Sequence, residues 1–136
     1  LGIAEGLAEA GASVVIWGSN AAELAAAEAQ LGKHGGRVLA QSCDVAKEAA
    51  VEAAFAEALA KMGRIDACFA NAGVSQKRAA FHELSTEEWR RVLGINLDGP
   101  MFTSRKAVQY MLARGGGSIV NIASTAGVHG GAAGAA

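Results

Sequence analysis

The chain has 136 residues, of which 51% are hydrophobic and 18% charged, and its formal net charge is −1. That length suits one ordinary domain, and the near-neutral balance argues against an electrostatic nucleic-acid binder, which would carry a basic stripe. No apolar run approaches the ~18 residues of a membrane span, no charged stretch precedes an apolar leader core, and Cys43 and Cys68 show neither CxxC spacing nor a Cys/His cluster, so they read as reduced core thiols of a cytoplasmic protein.

Ile3, Leu7 and Ala10 recur at helical intervals ahead of Gly11, which suits a C-terminal cap, so a helix of about ten residues is expected first. Ser13 to Trp17 is β-branched and apolar, the pattern of a strand, and Gly18-Ser19-Asn20 breaks it. Asn20 offers an N-cap oxygen with Glu23 at capping-box spacing, opening an Ala-rich helix through Leu24, Ala27 and Leu31 that Gly32, Gly35 and Gly36 end. Arg37 to Cys43 is the next apolar run. It leads through Asp44-Val45 to a helix starting near Lys47 with the stripe Val51, Phe55, Leu59 and Met62.

Gly63 stops that helix before the strand Ile65 to Ala70, which runs straight into the small-residue turn Asn71-Ala72-Gly73. Ser85-Thr86-Glu87-Glu88 forms a second capping box and leads a helix through Trp89, Val92, Leu93 and Asn96. The helical pattern continues past Pro100 through Phe102, Ala107, Val108, Met111 and Leu112 to Gly115-Gly116-Gly117, and Trp89 and Phe102 read as helix core. A last apolar strand, Gly117 to Ser124, ends on a hydroxyl, and Gly130 to Ala136 reads as a loop.

Alternating strands and helices imply parallel strands joined by right-handed crossovers, an α/β fold of the doubly wound Rossmann type. Such sheets bind ligands beyond the carboxyl ends of their strands, so Asn71-Ala72-Gly73 and Ser124 point at one site and suggest part of a dinucleotide-binding enzyme. His34, His82 and His129 share no metal-ligand spacing and no metal site is expected; only His129 lies near the expected substrate mouth.

These landmarks together resemble the short-chain dehydrogenase/reductase family along essentially the whole chain. Asp44-Val45 is similar to the acidic dipeptide after the family's third strand, which holds adenine, and Asn71-Ala72-Gly73 to its Asn-Asn-Ala-Gly turn, with Ala70 in place of the first Asn. Ile95-Asn96-Leu97-Asp98-Gly99 resembles the helix carrying the family's Asn, and Asn121 to Gly127 its fifth strand and serine. The resemblance implies hydride transfer between NAD(P)(H) and a carbonyl or alcohol substrate. Ser124 would hydrogen-bond the substrate oxygen and Asn96 would kink its helix and hold a water. The plain alternatives are a hydroxyl capping a turn and a polar residue on a solvated helix face. Asp44 would accept from the adenine amino group, or cap the next helix, while Val45 packs the ring. Asn71, Ala72 and Gly73 would approach the ribose. Gly18, Ser19 and Asn20 hold no acid to repel a 2′-phosphate, and Ser19 and Asn20 offer it hydrogen bonds, which favours NADP over NAD.

Two departures stand out. Leu1 already lies past the position of the family's Gly-rich phosphate loop, and the family's Tyr-x-x-x-Lys pair would begin immediately beyond Ala136, so residues 1–136 read as a partial NAD(P)-binding Rossmann domain without its first strand. In the strand order 3-2-1-4-5 that strand sits between two neighbours, so a central gap and an isolated chain that does not fold well are expected. 3-Oxoacyl-carrier-protein reductases and sugar-acid dehydrogenases are the family members in view. A non-catalytic dinucleotide-binding module and an inert fragment are the alternatives. A homodimer or tetramer through the helix around Met101 to Arg114 is implied for the parent protein, with neither nucleic acid nor membrane as partner.

Overall fold

A computed structural model describes residues 1–77 and 79–129; the loop expected over 130–136 lies outside them. The chain groups into two compact units, Leu1–Asp44 with Ala49–Ile65, and Val45–Glu48 with Asp66–Ala136.

The first unit contains α1 (Gly2–Glu9), β1 (Val14–Gly18), α2 (Ala21–Leu31), β2 (Val38–Ser42) and nearly all of α3 (Glu48–Met62). Gly11 takes φ of 86°, a left-handed conformation that only glycine adopts without strain. The Ala12 N–H can then reach back to the Leu7 carbonyl at 3.0 Å and close α1 in a Schellman turn. β1 and β2 pair in parallel from Val14↔Val38 to Gly18↔Ser42. At the entry to β2 the backbone passes so near Ala12 that a Cβ on Gly36 would lie 2.8 Å from the Ala12 carbonyl oxygen. Ala8, Val14 and Leu31 form the buried cluster between helices and strands, with Ala4, Leu7, Ile16 and Val38 against it. The stripe expected on α3 is shifted: Val51, Ala54, Phe55 and Ala58 are buried, and Leu59 and Met62 are half-buried. Buried Gln41 accepts from the Trp17 indole at 2.9 Å and donates to Glu57 at 2.9 Å, so its amide costs no unpaired polar group.

The second unit contains β3 (Ala67–Ala70), α4 (Thr86–Leu93), α5 (Gly99–Leu112), β4 (Ser118–Asn121) and the short α6 (Ala126–His129). β3 and β4 pair in parallel, Ala67↔Ser118 to Ala70↔Asn121. The four strands among the described residues form two two-stranded parallel sheets of an α/β fold. The helical pattern read through Asn96 and past Pro100 is interrupted at Asn96, where the family resemblance implied a kink. Pro100 has no N–H to return to the carbonyl of Asn96, so the ladder changes to a π-helical segment over Gly94–Asp98, where the Gly99 N–H bonds the Gly94 carbonyl, and α5 restarts with Pro100 in its first turn. Val92, Thr103, Ala107 and Met111 are buried. Trp89, expected in the core, is exposed (38%), while Phe102 is half-buried with the Arg105 guanidinium 5.6 Å from its ring centre. Among the described residues no helix is long and apolar enough to cross a membrane.

Candidate active site

The register Ala70↔Asn121 sets the carboxyl ends of β3 and β4 side by side, and the Ile122 N–H continues the ladder to the Ala70 carbonyl at 3.0 Å. Beyond one end lie Asn71, Ala72 and Gly73, all exposed; beyond the other lies Ser124, also exposed. Ala70, where the family carries Asn, is buried and as an apolar residue needs no side-chain partner there. The Ser124 hydroxyl accepts the Ala126 N–H at 3.1 Å and its carbonyl accepts the Gly127 N–H at 3.1 Å. The capping role is therefore present, and because it uses only an oxygen lone pair it leaves the hydroxyl proton able to donate.

Asn96 is exposed within the π segment and its amide grips one residue at both ends. Its Oδ1 accepts the Val74 N–H and its Nδ2 donates to the Val74 carbonyl, both at 2.8 Å. The side chain therefore acts as a clamp on the turn that follows β3, a role the sequence reading did not foresee. A Cβ on Gly73 would still have 3.6 Å to the Asn96 Oδ1, ordinary contact, so the clamp leaves the Gly73 backbone open.

The same loop is held from α4. Ser85 caps that helix by accepting the Glu88 N–H at 3.1 Å, but the reciprocal half of the expected capping box is absent. The Glu88 carboxylate turns instead to the Arg91 Nε and Nη2, each at 2.8 Å, and to the Lys77 N–H at 2.6 Å. Arg91 Nη2 also donates to the Ser75 carbonyl at 2.9 Å. These bonds, the Arg91 guanidinium first and the Lys77 amide next, hold the Glu88 carboxyl at a pKa of about 2, and the pairing raises that of Arg91. The only sequence signal for Glu88 was its capping-box position, and Arg91 had none.

Val45 is half-buried and packs on α5, where a Cβ on Gly99 would stand 2.9 Å from its Cγ2. In the first unit, Gly18 closes β1 against Leu24 and Ser19 is exposed after it. Asn20 is a working N-cap, its Oδ1 accepting from Ala22 N (3.0 Å) and Glu23 N (3.3 Å), while its Nδ2 donates to Glu23 Oε1 at 2.9 Å. That leaves one amide hydrogen for any ligand. Asp44 is exposed directly after β2, and its charge adds to burial in raising the Cys43 thiol pKa; burial alone raises that of Cys68. Both thiols are free. His34, which shares no ligand spacing in sequence, does meet Glu5 and Glu9, with donor atoms of all three within 4.8 Å of one another. Glu5 and His34 also line an open surface groove with Gln30 and Lys33, and none of the expected site residues takes part in it.

The family model described as short chain dehydrogenase matches residues 1–136. The chain belongs to that family. Among curated short-chain dehydrogenases it is 41% identical over 125 residues to the cis-4-hydroxycyclohexanecarboxylate dehydrogenase of Sinomonas cyclohexanicum, covering 91% of this chain and 49% of that protein. Among solved structures it matches an NAD+-bound xylitol dehydrogenase with a TM-score of 0.90 at 33% identity, over 94% of this chain and 49% of that one. It also matches a metagenomic short-chain oxidoreductase in complex with NADP, with a TM-score of 0.86 at 33% identity, over 92% of this chain and 57% of that one. The chain thus spans about half the length of the short-chain dehydrogenases it matches. Its fold is that of the family's Rossmann domain.

Proposed function

We propose that residues 1–136 form part of one dinucleotide-binding domain of an oxidoreductase that moves a hydride between NADP(H) and a carbonyl or alcohol substrate. The observation that carries this reading is the pairing of β3 with β4, which brings the exposed Asn71-Ala72-Gly73 turn and the Ser124 hydroxyl to neighbouring strand ends. The residues present fit a dinucleotide. The Asn71–Gly73 backbone is uncovered for a ribose, Val45 keeps part of its surface free for a ring, and Asp44 is exposed for an exocyclic amine. When bound, the nicotinamide supplies the hydride. Ser124 donates its remaining proton towards the substrate oxygen as negative charge develops there, which orients the carbonyl and stabilises the transition state. The general acid is the tyrosine that the family resemblance implies.

NADP is preferred over NAD because Gly18, Ser19 and Asn20 include no acid, and exposed Ser19 together with the free Asn20 amide hydrogen suits a 2′-phosphate. The substrate is a small carbonyl compound, with 3-oxoacyl thioesters and sugar acids as the first classes to try. The protein acts in the cytoplasm, consistent with its free thiols. It assembles as a homodimer or tetramer through α5, whose Met101, Val108 and Leu112 are exposed. Titration of the full-length protein with NADPH and NADH, followed by nucleotide fluorescence, tests the reading. Saturable binding with NADPH the tighter is expected, and absence of binding by either would overturn it.

A further inference from the structure

Three residues of the loop after the Asn71-Ala72-Gly73 turn have backbone groups held by side chains of one short segment. Asn96 takes both polar groups of Val74, Arg91 takes the Ser75 carbonyl, and Glu88 takes the Lys77 N–H. Arg91 and Glu88 are in turn locked together by two bonds in fork geometry. Glu88 is 8% exposed, whereas the Ser75 and Lys77 residues it helps to fix are exposed. With the Arg91 side chain 38% exposed to solvent, the ion pair adds little stability by itself, and its use lies in the conformation it enforces. Here the conformation enforced is that of the loop leaving Asn71-Ala72-Gly73. A loop that must present open backbone to a ligand cannot bury itself to gain order, so its order has to come from behind.

We infer that Glu88 and Arg91 are positioning residues for dinucleotide binding: by fixing the backbone of Ser75 and Lys77 they hold Asn71-Ala72-Gly73 open in the shape the ribose meets. This rests on the oxidoreductase reading. Both residues act on loop backbone, so their effect belongs in the affinity for the dinucleotide, with the hydride step itself little changed.

The test compares the full-length wild type with Glu88→Gln, Arg91→Met and the milder Arg91→Lys, using steady-state kinetics with NADPH and amide hydrogen exchange. Glu88→Gln and Arg91→Met are expected to raise the KM for NADPH about 10-fold or more, as misplacement of a binding element does, with kcat changed less than about 3-fold. Arg91→Lys, which keeps the charge but loses the fork, falls between. Exchange at the Lys77 amide is expected to speed up in Glu88→Gln while β3 amides stay protected. Variants that melt earlier yet keep the wild-type KM would reduce the pair to a structural staple and overturn the inference. A wild type that binds neither NADPH nor NADH would overturn the oxidoreductase reading itself, and the inference with it, a result distinct from unchanged KM values in a protein that does bind.

Discussion

In the function proposed above Ser124 carries the most chemistry, and its hydrogen bonding leaves room for that role. Its oxygen is used as an acceptor by the Ala126 amide, which fixes the rotamer, and its proton is left to donate. Ser124→Ala should therefore lower kcat by about 10²- to 10³-fold, the usual cost of one oxyanion donor, while NADPH affinity measured by fluorescence stays near wild type. Gly99 is constrained for a different reason: a Cβ there would stand 2.9 Å from Val45 Cγ2 and 3.2 Å from its Cβ. Gly99→Ala overpacks that contact and should destabilise the protein by about 1–3 kcal/mol in denaturant unfolding. The thiols make a third prediction. Because burial raises the pKa of both Cys43 and Cys68, little thiolate is present at pH 8, and alkylation by iodoacetamide should be far slower in the native protein than after denaturation.

Among elements, the stretch from α4 through the π segment does the most to shape the site. Asn96→Ala frees both polar groups of Val74 and should cost about 1–3 kcal/mol, with faster exchange at the Val74 amide as the local readout. The Glu88 carboxyl is held at about 2, below its unfolded value near ~4.3, so its contribution to stability is present in full above the unfolded value and is lost as pH falls towards 2. The loop should therefore remain ordered at pH 5, and Lys77 amide protection should fade only as pH drops well below 4. Much of this architecture was legible in advance. Small-residue turns and apolar runs marked the four strands of the described residues, and Asn20 and Ser85 cap the helices they were expected to cap. A kink was expected at Asn96, but its form, a π segment beside a Pro100 that has no N–H for the carbonyl of Asn96, leaves no mark on hydrophobic periodicity. The clamps of Asn96, Glu88 and Arg91 were not legible, because each joins residues 11 to 22 positions apart through a loop with no repeating pattern. Trp89 was misjudged because an aromatic at helical spacing looks the same whether its face meets core or water.

For the molecule as a whole, two-stranded parallel sheets are the limiting fact. Such pairs bury little on their own, and the largest fully buried side chains among the described residues are Leu31, Val51 and Val92. The 136-residue chain by itself should therefore unfold over a broad range in calorimetry, and a sharp two-state transition would contradict this. Val120 in β4 and Ile122 just after it are exposed at 38% and 46%. The central claim, that the paired ends of β3 and β4 serve hydride transfer, is tested most directly with NADPH deuterated at the nicotinamide C4. The full-length protein and its Ser124→Ala variant would be incubated with ketones, sugar-acid ketones and 3-oxoacyl thioesters, and the alcohols analysed by mass spectrometry. Deuterium is expected on the carbinol carbon of at least one product, formed at a rate that falls steeply in the variant. Tight NADPH binding with no label transferred to any substrate would contradict the claim.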